Sequence, residues 1–284
     1  MGPEREARIA GSGERRARWA VIAPPMLFLC LFFVLPGLIM VLASFREPGE
    51  FGGLSPLRMP DGRIDVGIDT YAFFFSDWVY AWIFLRSLIV AAITTLICLA
   101  LAYPLALLIA KSPRGRRDFL VLLVILPFAA NFLIRIYAWI ILLGPFDLLY
   151  SPVAVIIAMV YVHLPFMVLP LYTNLEKHDP AWLEAARDLG ANAWTRFWRI
   201  TFPLSLPGVY SGAALVFIPV LGMFAIPELV GGTSDVLAGN LIKGQFLDTR
   251  DWPMGAMLSI VLTLLVLLLA GLSARAGRMR RREA

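Results

Sequence analysis

The sequence predicts an all-α integral membrane protein with six transmembrane helices and with both termini on the cytoplasmic side. Of the 284 residues, 60% are hydrophobic and only 16% are charged, with a mean hydropathy of +0.77. In a soluble domain about a quarter of the residues are charged. Two further observations are six long apolar stretches and the concentration of Lys and Arg in alternate connections between them.

Each apolar stretch reaches the length of about twenty residues that a helix needs to cross the hydrocarbon core of a bilayer. The predicted spans are 19–45, 82–110, 119–142, 153–173, 207–230 and 252–274. Together they form a single transmembrane domain over 19–274, with basic tails at 1–18 and 275–284. The spans and their loops use the whole sequence, so we expect no second, catalytic domain in it.

The first apolar stretch could also be a signal peptide, because Arg15, Arg16 and Arg18 precede it. Its run of about 25 apolar residues is longer than the roughly 7–15 residues of a signal-peptide core, so we interpret it as a retained span. Cys30 and Cys98 lie inside apolar stretches without metal-ligand spacing. We expect both to be small core residues.

Basic residues separate the connections into two sets. They are frequent in both tails and in the second-to-third and fourth-to-fifth connections, and sparse in the others. Short loops rich in Lys and Arg stay in the cytoplasm, so both termini are predicted to be cytoplasmic. The net charge of +5 follows from this topology and from contact with anionic membrane lipid. It gives no argument for a nucleic-acid partner.

The predicted outer connections contain turn formers and aromatic residues. Segment 46–81 begins with several Gly and Pro residues and becomes aromatic from Tyr71 onward. Aromatic residues at the start of a span favour an amphipathic helix at the outer membrane surface. Connections 143–152 and 231–252 are also placed outside.

Motifs for phosphate binding and catalysis are missing from the sequence. It has no GxxxxGK[ST] P-loop, no HExxH, no CxxC pair and no GxSxG, and its only histidines are His163 and His178. We therefore expect no enzyme activity, no catalytic residues, no bound metal and no cofactor on this chain. His163 is interpreted as a hydrogen-bonded core residue rather than as a proton relay.

A polar segment, 174–206, interrupts the apolar pattern between the fourth and fifth spans. Asp179 can cap a helix, and Pro180 suits its first position. Apolar residues then recur at helical spacing until Gly190, which supplies a left-handed stop. This pattern predicts a short cytoplasmic helix followed by a sharp bend.

A second short helix is expected after the bend, with Asn192 as its cap. Pro203 and Pro207 are expected to end it where the chain re-enters the bilayer. A motor domain outside the membrane could move the spans through such a rigid pair of helices. The alternative is an interfacial amphipathic helix without a partner.

The order of residues in this loop resembles the coupling loop of ABC-importer permeases. The resemblance rests on Glu184-Ala185-Ala186, on Gly190 four residues later, and on Ile200-x-x-Pro203 followed by Pro207-Gly208. Among these permeases the chain is similar to the spermidine/putrescine, or polyamine, type over about 80–274. Further matching pieces are 133–139, 161–172, 239–242, 245–246 and 250–253.

The resemblance implies the type I ABC-importer permease fold, a bacterial inner-membrane location and a subunit that forms half of a pore. The implied partners are a cytoplasmic ABC ATPase dimer, a second permease that is usually a homologous heterodimer partner, and an external substrate-binding protein. ATP and Mg would be used by the ATPase. The implied ATPase-coupling residues are Asp179, Pro180, Glu184, Ala185, Ala186, Asp188 and Gly190.

Two outer segments depart from the pattern of that family. Connection 143–152 is short, where the family usually has a longer segment with its own helix, and 46–70 carries no recognisable family motif. Both departures concern the outer vestibule and the docking of the binding protein.

Charged and aromatic residues at membrane depth are candidates for the substrate path. Arg135 either lines the pore or reaches toward the lipid headgroups, and Arg86, nearer a span end, is expected to reach the headgroups. A polycation favours carboxylates and aromatic faces. The candidates are Arg135, Tyr137, Trp139, Phe217, Phe224 and Glu228, with Asp147 and Asp235 nearby.

Other functions stay open at this point. Arg135 in the pore would favour an opine or amino-acid-like compound, a phosphonate or another anion over a polyamine. A self-sufficient secondary carrier or channel should show paired intramembrane acids or broken helices in repeated halves, and the halves show no obvious repeat. A membrane scaffold that transports nothing would tolerate damage to the loop.

Overall fold

The computed structural model describes residues 19–56, 66–233 and 235–283, with side chains described as far as Gly271. The regular elements of these ranges are helices. They are α1 (Trp19–Ser44), α2 (Asp69–Ser76), α3 (Trp78–Lys111), α4 (Arg114–Ile125), α5 (Phe132–Leu143), α6 (Pro152–Leu175), α7 (Pro180–Asp188), α8 (Ala193–Leu221), α9 (Ala225–Val230), α10 (Ala238–Leu247) and α11 (Trp252–Glu283). The predicted basic tail 1–18 lies outside the described residues, as do the side chains of 275–284.

Within the described ranges, five helices are long and apolar enough to cross a membrane. They are α1, α3, α6, α8 and the first part of α11, Trp252–Gly271. They coincide with five of the six predicted spans, although α8 begins well before 207 and ends at Leu221, ahead of the predicted 230. The remaining stretch of the predicted span forms the separate helix α9 beyond the break at Gly222–Phe224.

The predicted third span, 119–142, is a pair of helices bent by 92°. After α4 the chain tightens into a 3-10 turn at Leu126–Ala129, where Pro127 has no N–H for the helical ladder. Asn131 then starts α5 anew, its side-chain oxygen accepting the Leu133 backbone N–H at 2.9 Å. A proline followed by a capping residue therefore breaks what hydropathy alone shows as one stretch.

The core of the chain lies where α3, α6 and α8 pack together. Two glycines on α8 allow close approach to α6. A Cβ at Gly208 would lie 2.8 Å from the Cβ of Asn174, and a Cβ at Gly212 would lie 2.7 Å from the Met167 sulfur. Small residues spaced four apart are typical of membrane helices that associate through backbone contact.

The helix α1 packs mainly against α11 at the edge of the chain, and only 6% of its apolar window is buried. Cys98 is fully buried in α3, with its sulfur 3.7 Å from the Val160 carbonyl oxygen, as expected for a core residue. Cys30 is exposed on α1. The expectation of a core position was wrong for Cys30, because the peripheral helix has few neighbours to cover it.

The connections collect at two ends of the helical bundle. We call the end that carries 176–192 and the α3–α4 connection the loop end, and the opposite end the far end. At the loop end, Arg117 Nη1 lies 2.7 Å from Glu176 Oε1 and ties α4 to the end of α6. At the far end, the aromatic part of segment 46–81 contains the helix α2, and Gly53 donates its backbone N–H to the Arg250 carbonyl at 2.7 Å.

Candidate functional site

The loop helix α7 begins where the sequence predicts. Asp179 Oδ1 accepts the Ala181 backbone N–H at 2.9 Å, and Pro180 occupies the first helical position. The helix buries no residue against the rest of the chain. Trp182 is 50% exposed and Leu189, just after the helix, is 89% exposed. An apolar surface outside the membrane spans is thus left open.

The end of α7 has the hydrogen bonds of a Schellman motif. The Gly190 N–H bonds the Arg187 carbonyl at 2.9 Å, and the Ala191 N–H bonds the Ala186 carbonyl at 3.0 Å. Gly190 has a φ of +80°, and no atom lies within 4 Å of the Cβ that another residue would add. The left-handed backbone, and not lack of space, therefore favours glycine here. The predicted stop is confirmed.

The residues that the resemblance assigned to ATPase coupling lie on this helix and its two caps. Asp179, Pro180, Glu184, Ala185, Asp188 and Gly190 are exposed, and Ala186 is partly buried. All seven are therefore on one continuous surface segment at the loop end.

The second loop helix does not end where the sequence predicts. Asn192 caps it as expected, its Oδ1 accepting a backbone N–H at 2.7 Å. The helix then continues through Pro203 and Pro207 into the membrane span as α8. A π turn at Phe197–Thr201, in which the Phe202 N–H bonds the Phe197 carbonyl, widens the helix just before Pro203. This places both prolines inside a continuous helix and corrects the predicted boundary.

An aromatic cluster joins the start of α8 to α3. The ring centroid of Trp198 lies 5.1 Å from those of Phe197 and Phe202. Tyr103 of α3 lies 5.5 Å from Phe197, and its hydroxyl hydrogen-bonds Ser205 at 2.8 Å. Packed rings therefore connect the loop to two membrane spans.

A cavity of about 600 Å³ opens at the far end. Its lining includes Tyr150, Glu228, Thr233, Asp235, Val236 and Asn240. Sites for small molecules usually have volumes of about 300–1,000 Å³. We call this space the far-end cavity.

Two acids line the far-end cavity, and each has a basic partner. Lys243 Nζ lies 2.9 Å from Glu228 Oε1 and 3.6 Å from Asp248 Oδ2. The hydrogen bond to Glu228 raises the pKa of the Lys243 ammonium above its ordinary value, so this group is charged at neutral pH. Asp235, only 5% exposed, pairs with Arg86 and accepts the Gly232 N–H at 3.0 Å.

The pairing of Arg86 corrects an expectation. Arg86 was expected to reach the headgroups as a residue near a span end, whereas it forms an ion pair with Asp235. A buried carboxylate needs such a partner to stay charged. Sequence reasoning noted Asp235 as a nearby acid but missed the pair, because 149 residues separate the two positions.

The candidates on α5 lie apart from this cavity's acids. The guanidinium carbon of Arg135 lies 5.7 Å from the ring centroid of Phe128 and 6.0 Å from that of Phe132. Trp139 packs edge-on against Tyr161 at 5.4 Å. Arg135 is thus held against aromatic faces and does not line the far-end cavity.

The remaining candidates are spread over three helices, α5, α8 and α9. Tyr137, on α5, is 53% exposed. Phe217 lines a separate cavity of about 350 Å³ on α8. Phe224 and Glu228 lie one turn apart, at the cap and on the helix α9, with the Glu228 N–H bonding the Phe224 carbonyl at 3.1 Å. Of the six residues, the structure brings these two together.

His163 is a core residue, as the sequence predicts. Its side chain is 2% exposed, and its Nδ1 lies 2.8 Å from the Met159 carbonyl oxygen of the preceding turn.

Residues 102–281 match the family described as binding-protein-dependent transport system inner membrane component. The match covers more than half of the chain. The chain belongs to this family. It is therefore a multi-pass permease subunit of the inner membrane, as the loop motif indicated.

Two relatives cover nearly the whole permease. It is 38% identical over 275 residues to the spermidine/putrescine transport system permease protein PotB of Haemophilus influenzae, covering 90% of this chain and 92% of the relative. It is 41% identical over 271 residues to the protein of the same name from Escherichia coli K12, covering 89% of this chain and 94% of the relative.

A solved structure shares the fold of the permease. A chain of a bacterial alginate ABC transporter, solved in complex with an alginate pentasaccharide-bound periplasmic protein, superposes with a TM-score of 0.74 at 15% identity. The superposition covers 94% of this chain and 96% of that chain. The predicted type I ABC-importer permease fold is confirmed.

Proposed function

We propose that this permease forms half of the pore of an ATP-driven, binding-protein-dependent importer of the polyamines spermidine and putrescine. The observation that carries the proposal is the identity of 38–41% to two permeases named for these polyamines, over about nine tenths of the chain. The far-end cavity is compatible with a cationic cargo: the charged residues that line it are the acids Glu228 and Asp235, and their basic partners Lys243 and Arg86 lie outside the lining. Arg135, the main argument for an anion, lies elsewhere.

The loop end is the cytoplasmic end in this proposal. Basic residues are dense there and sparse at the far end, which is the distribution that retains short loops in the cytoplasm. Both termini are then cytoplasmic, and the far-end cavity faces the external binding protein that delivers the cargo.

The loop helix α7 couples this chain to a separate ATPase dimer. Its exposed Trp182 and Leu189 offer apolar contact, Glu184 offers a charge to a basic partner, and the aromatic cluster carries displacement of the loop into α3 and α8. ATP and Mg are used by that partner, and this chain binds no cofactor. A second, homologous permease completes the pore.

Co-purification tests the coupling role. The complex is assembled with its ATPase, and the variants Glu184→Lys and Gly190→Pro are compared with wild type for bound ATPase and for cargo-stimulated ATP hydrolysis. Because reversal of a charge at an interface costs about 2 kcal/mol or more, we expect at least about tenfold less bound ATPase. Asp118→Lys reverses an exposed charge on α4 outside the loop and serves as the matched control. Normal assembly and hydrolysis in both loop variants would refute the coupling role.

Uptake competition tests the cargo. Labelled spermidine is imported by the reconstituted transporter with its binding protein, in the presence of unlabelled putrescine, opine-like amino acids or phosphonates. The proposal expects inhibition by putrescine alone. Inhibition by a phosphonate or an opine-like amino acid but not by putrescine would show that the family assignment holds but the polyamine assignment does not.

A further inference from the structure

We propose that Glu228, with the side-chain oxygen of Asn240 as a second acceptor, binds one ammonium group of the cargo, and that the Lys243 ammonium occupies the Glu228 carboxylate while the cargo is absent. The inference rests on the proposed function, since it requires an amine cargo. It goes further by naming the position at which the amine binds and the group that it must displace.

The Lys243 side chain has the same chemistry as the end of a polyamine. It carries a primary ammonium on an alkyl stem, and this ammonium lies 2.9 Å from Glu228 Oε1. A carboxylate that accepts this group accepts an equivalent group from solution. The side chains of Glu228 and Lys243 are 42% and 24% exposed, and ion pairs that water can reach are held weakly. A soluble amine can therefore replace the Lys243 ammonium on the Glu228 carboxylate.

Asn240 supplies a second acceptor one helical turn before Lys243. Its Nδ2 donates to the Phe224 carbonyl at 2.9 Å, which orients the amide. Its Oδ1 is buried and finds no hydrogen-bond partner among the described residues. A buried acceptor without a partner costs free energy. Lys243 bonds Glu228 without reaching this oxygen. Both Glu228 and Asn240 line the far-end cavity, and an ammonium has three N–H donors, so a cargo ammonium that binds Glu228 from the cavity side has donors left for Asn240.

The surroundings of Glu228 allow the exchange. Of the two acids that line the far-end cavity, Asp235 is engaged by Arg86 and the Gly232 N–H, which leaves Glu228 for the cargo. The displaced ammonium of Lys243 has another carboxylate 3.6 Å away, at Asp248. No unpaired charge is created when the cargo enters.

The test is equilibrium binding of radiolabelled spermidine to the purified complex of permeases and ATPase without the binding protein. Glu228→Gln removes the carboxylate and should weaken binding at least about tenfold, because a charged hydrogen bond is lost. Lys243→Met removes the competing ammonium and should tighten binding about two- to fivefold, the range expected for an exposed ion pair. Gel filtration and basal ATP hydrolysis confirm that each variant is assembled.

A matched control removes a different far-end carboxylate. Asp77→Asn keeps the side-chain oxygen that accepts the Val79 N–H at 2.9 Å and should leave binding unchanged. Putrescine should compete with spermidine, whereas 1,4-butanediol, which has the same length without charge, should not.

The outcomes separate this inference from the proposed function. Wild-type affinity in Glu228→Gln, or weaker binding in Lys243→Met, overturns the ammonium position while polyamine import still stands. A wild-type transporter that neither binds nor imports any polyamine overturns both.

Discussion

Replacing Gly190 by alanine tests whether the loop helix depends on a left-handed backbone position. Gly190 has a φ of +80°, and a Cβ there would meet no atom within 4 Å. The substitution therefore destabilises the loop only through the backbone. Holding an ordinary residue in the left-handed conformation costs about 1–2 kcal/mol of free energy. Asparagine tolerates the left-handed region better, so Gly190→Asn should cost less than Gly190→Ala.

Hydrogen exchange of the loop amides measures this cost. The Ala191 N–H, which bonds the Ala186 carbonyl at 3.0 Å, reports the Schellman motif directly. If Gly190→Ala lowers the free energy of local opening by about 1–2 kcal/mol, the protection of this amide against exchange falls by roughly 5- to 30-fold. ATPase binding should fall in the same order, wild type above Asn above Ala.

Gly115 provides the control, because a Cβ there also meets no atom within 4 Å, yet its φ is not positive. Gly115→Ala, in the first turn of α4, should be neutral or slightly stabilising. Equal protection in Gly190→Ala and Gly115→Ala would show that backbone strain does not define the end of α7.

Two further predictions concern the far end. Asp235→Asn keeps an oxygen for the Gly232 N–H but removes the charge that pairs with Arg86. We expect the free energy of unfolding to fall by about 2–3 kcal/mol, which lowers the melting temperature in detergent. An unchanged melting temperature would contradict the assigned ion pair. Gly239→Ala places a Cβ 2.6 Å from the Gly222 carbonyl oxygen, a backbone atom that cannot move aside, so it should lower the yield of folded protein. Gly271→Ala is the control, because a Cβ at Gly271 meets no atom within 4 Å, and its yield should be that of wild type. Equal yields of the two variants would refute the close contact.

Much of the loop end could be predicted from the sequence, because its signals are local. The helix starts at Asp179 and Asn192 and the stop at Gly190 each depend on a side chain or a φ angle within a few residues of the helix terminus. The prediction failed at Pro203 and Pro207. A π turn upstream allows the helix to continue through both, and no residue type in the sequence marks that turn.

The far end was less predictable. Glu228 was a candidate, but its partner Lys243 and the pair of Arg86 with Asp235 join residues from different helices. Hydropathy also predicted one span over 119–142, where Pro127 and a new cap produce a bent pair. The mean hydropathy of a window is the same whether its residues form one straight helix or two helices at an angle, so it does not reveal the bend.

The sequence by itself determined the membrane environment, five of the spans and the loop helix, because apolar length, charge bias and helix caps act over short stretches of chain. Only the tertiary structure decided which charges meet. It placed Arg135 against aromatic rings, paired Arg86 with Asp235, and set Lys243 beside Glu228 at the edge of a cavity. The physical reason is that ion pairs and cavities depend on how helices distant in sequence pack against one another, and in this chain that packing depends on close contacts at positions such as Gly208, Gly212 and Gly239.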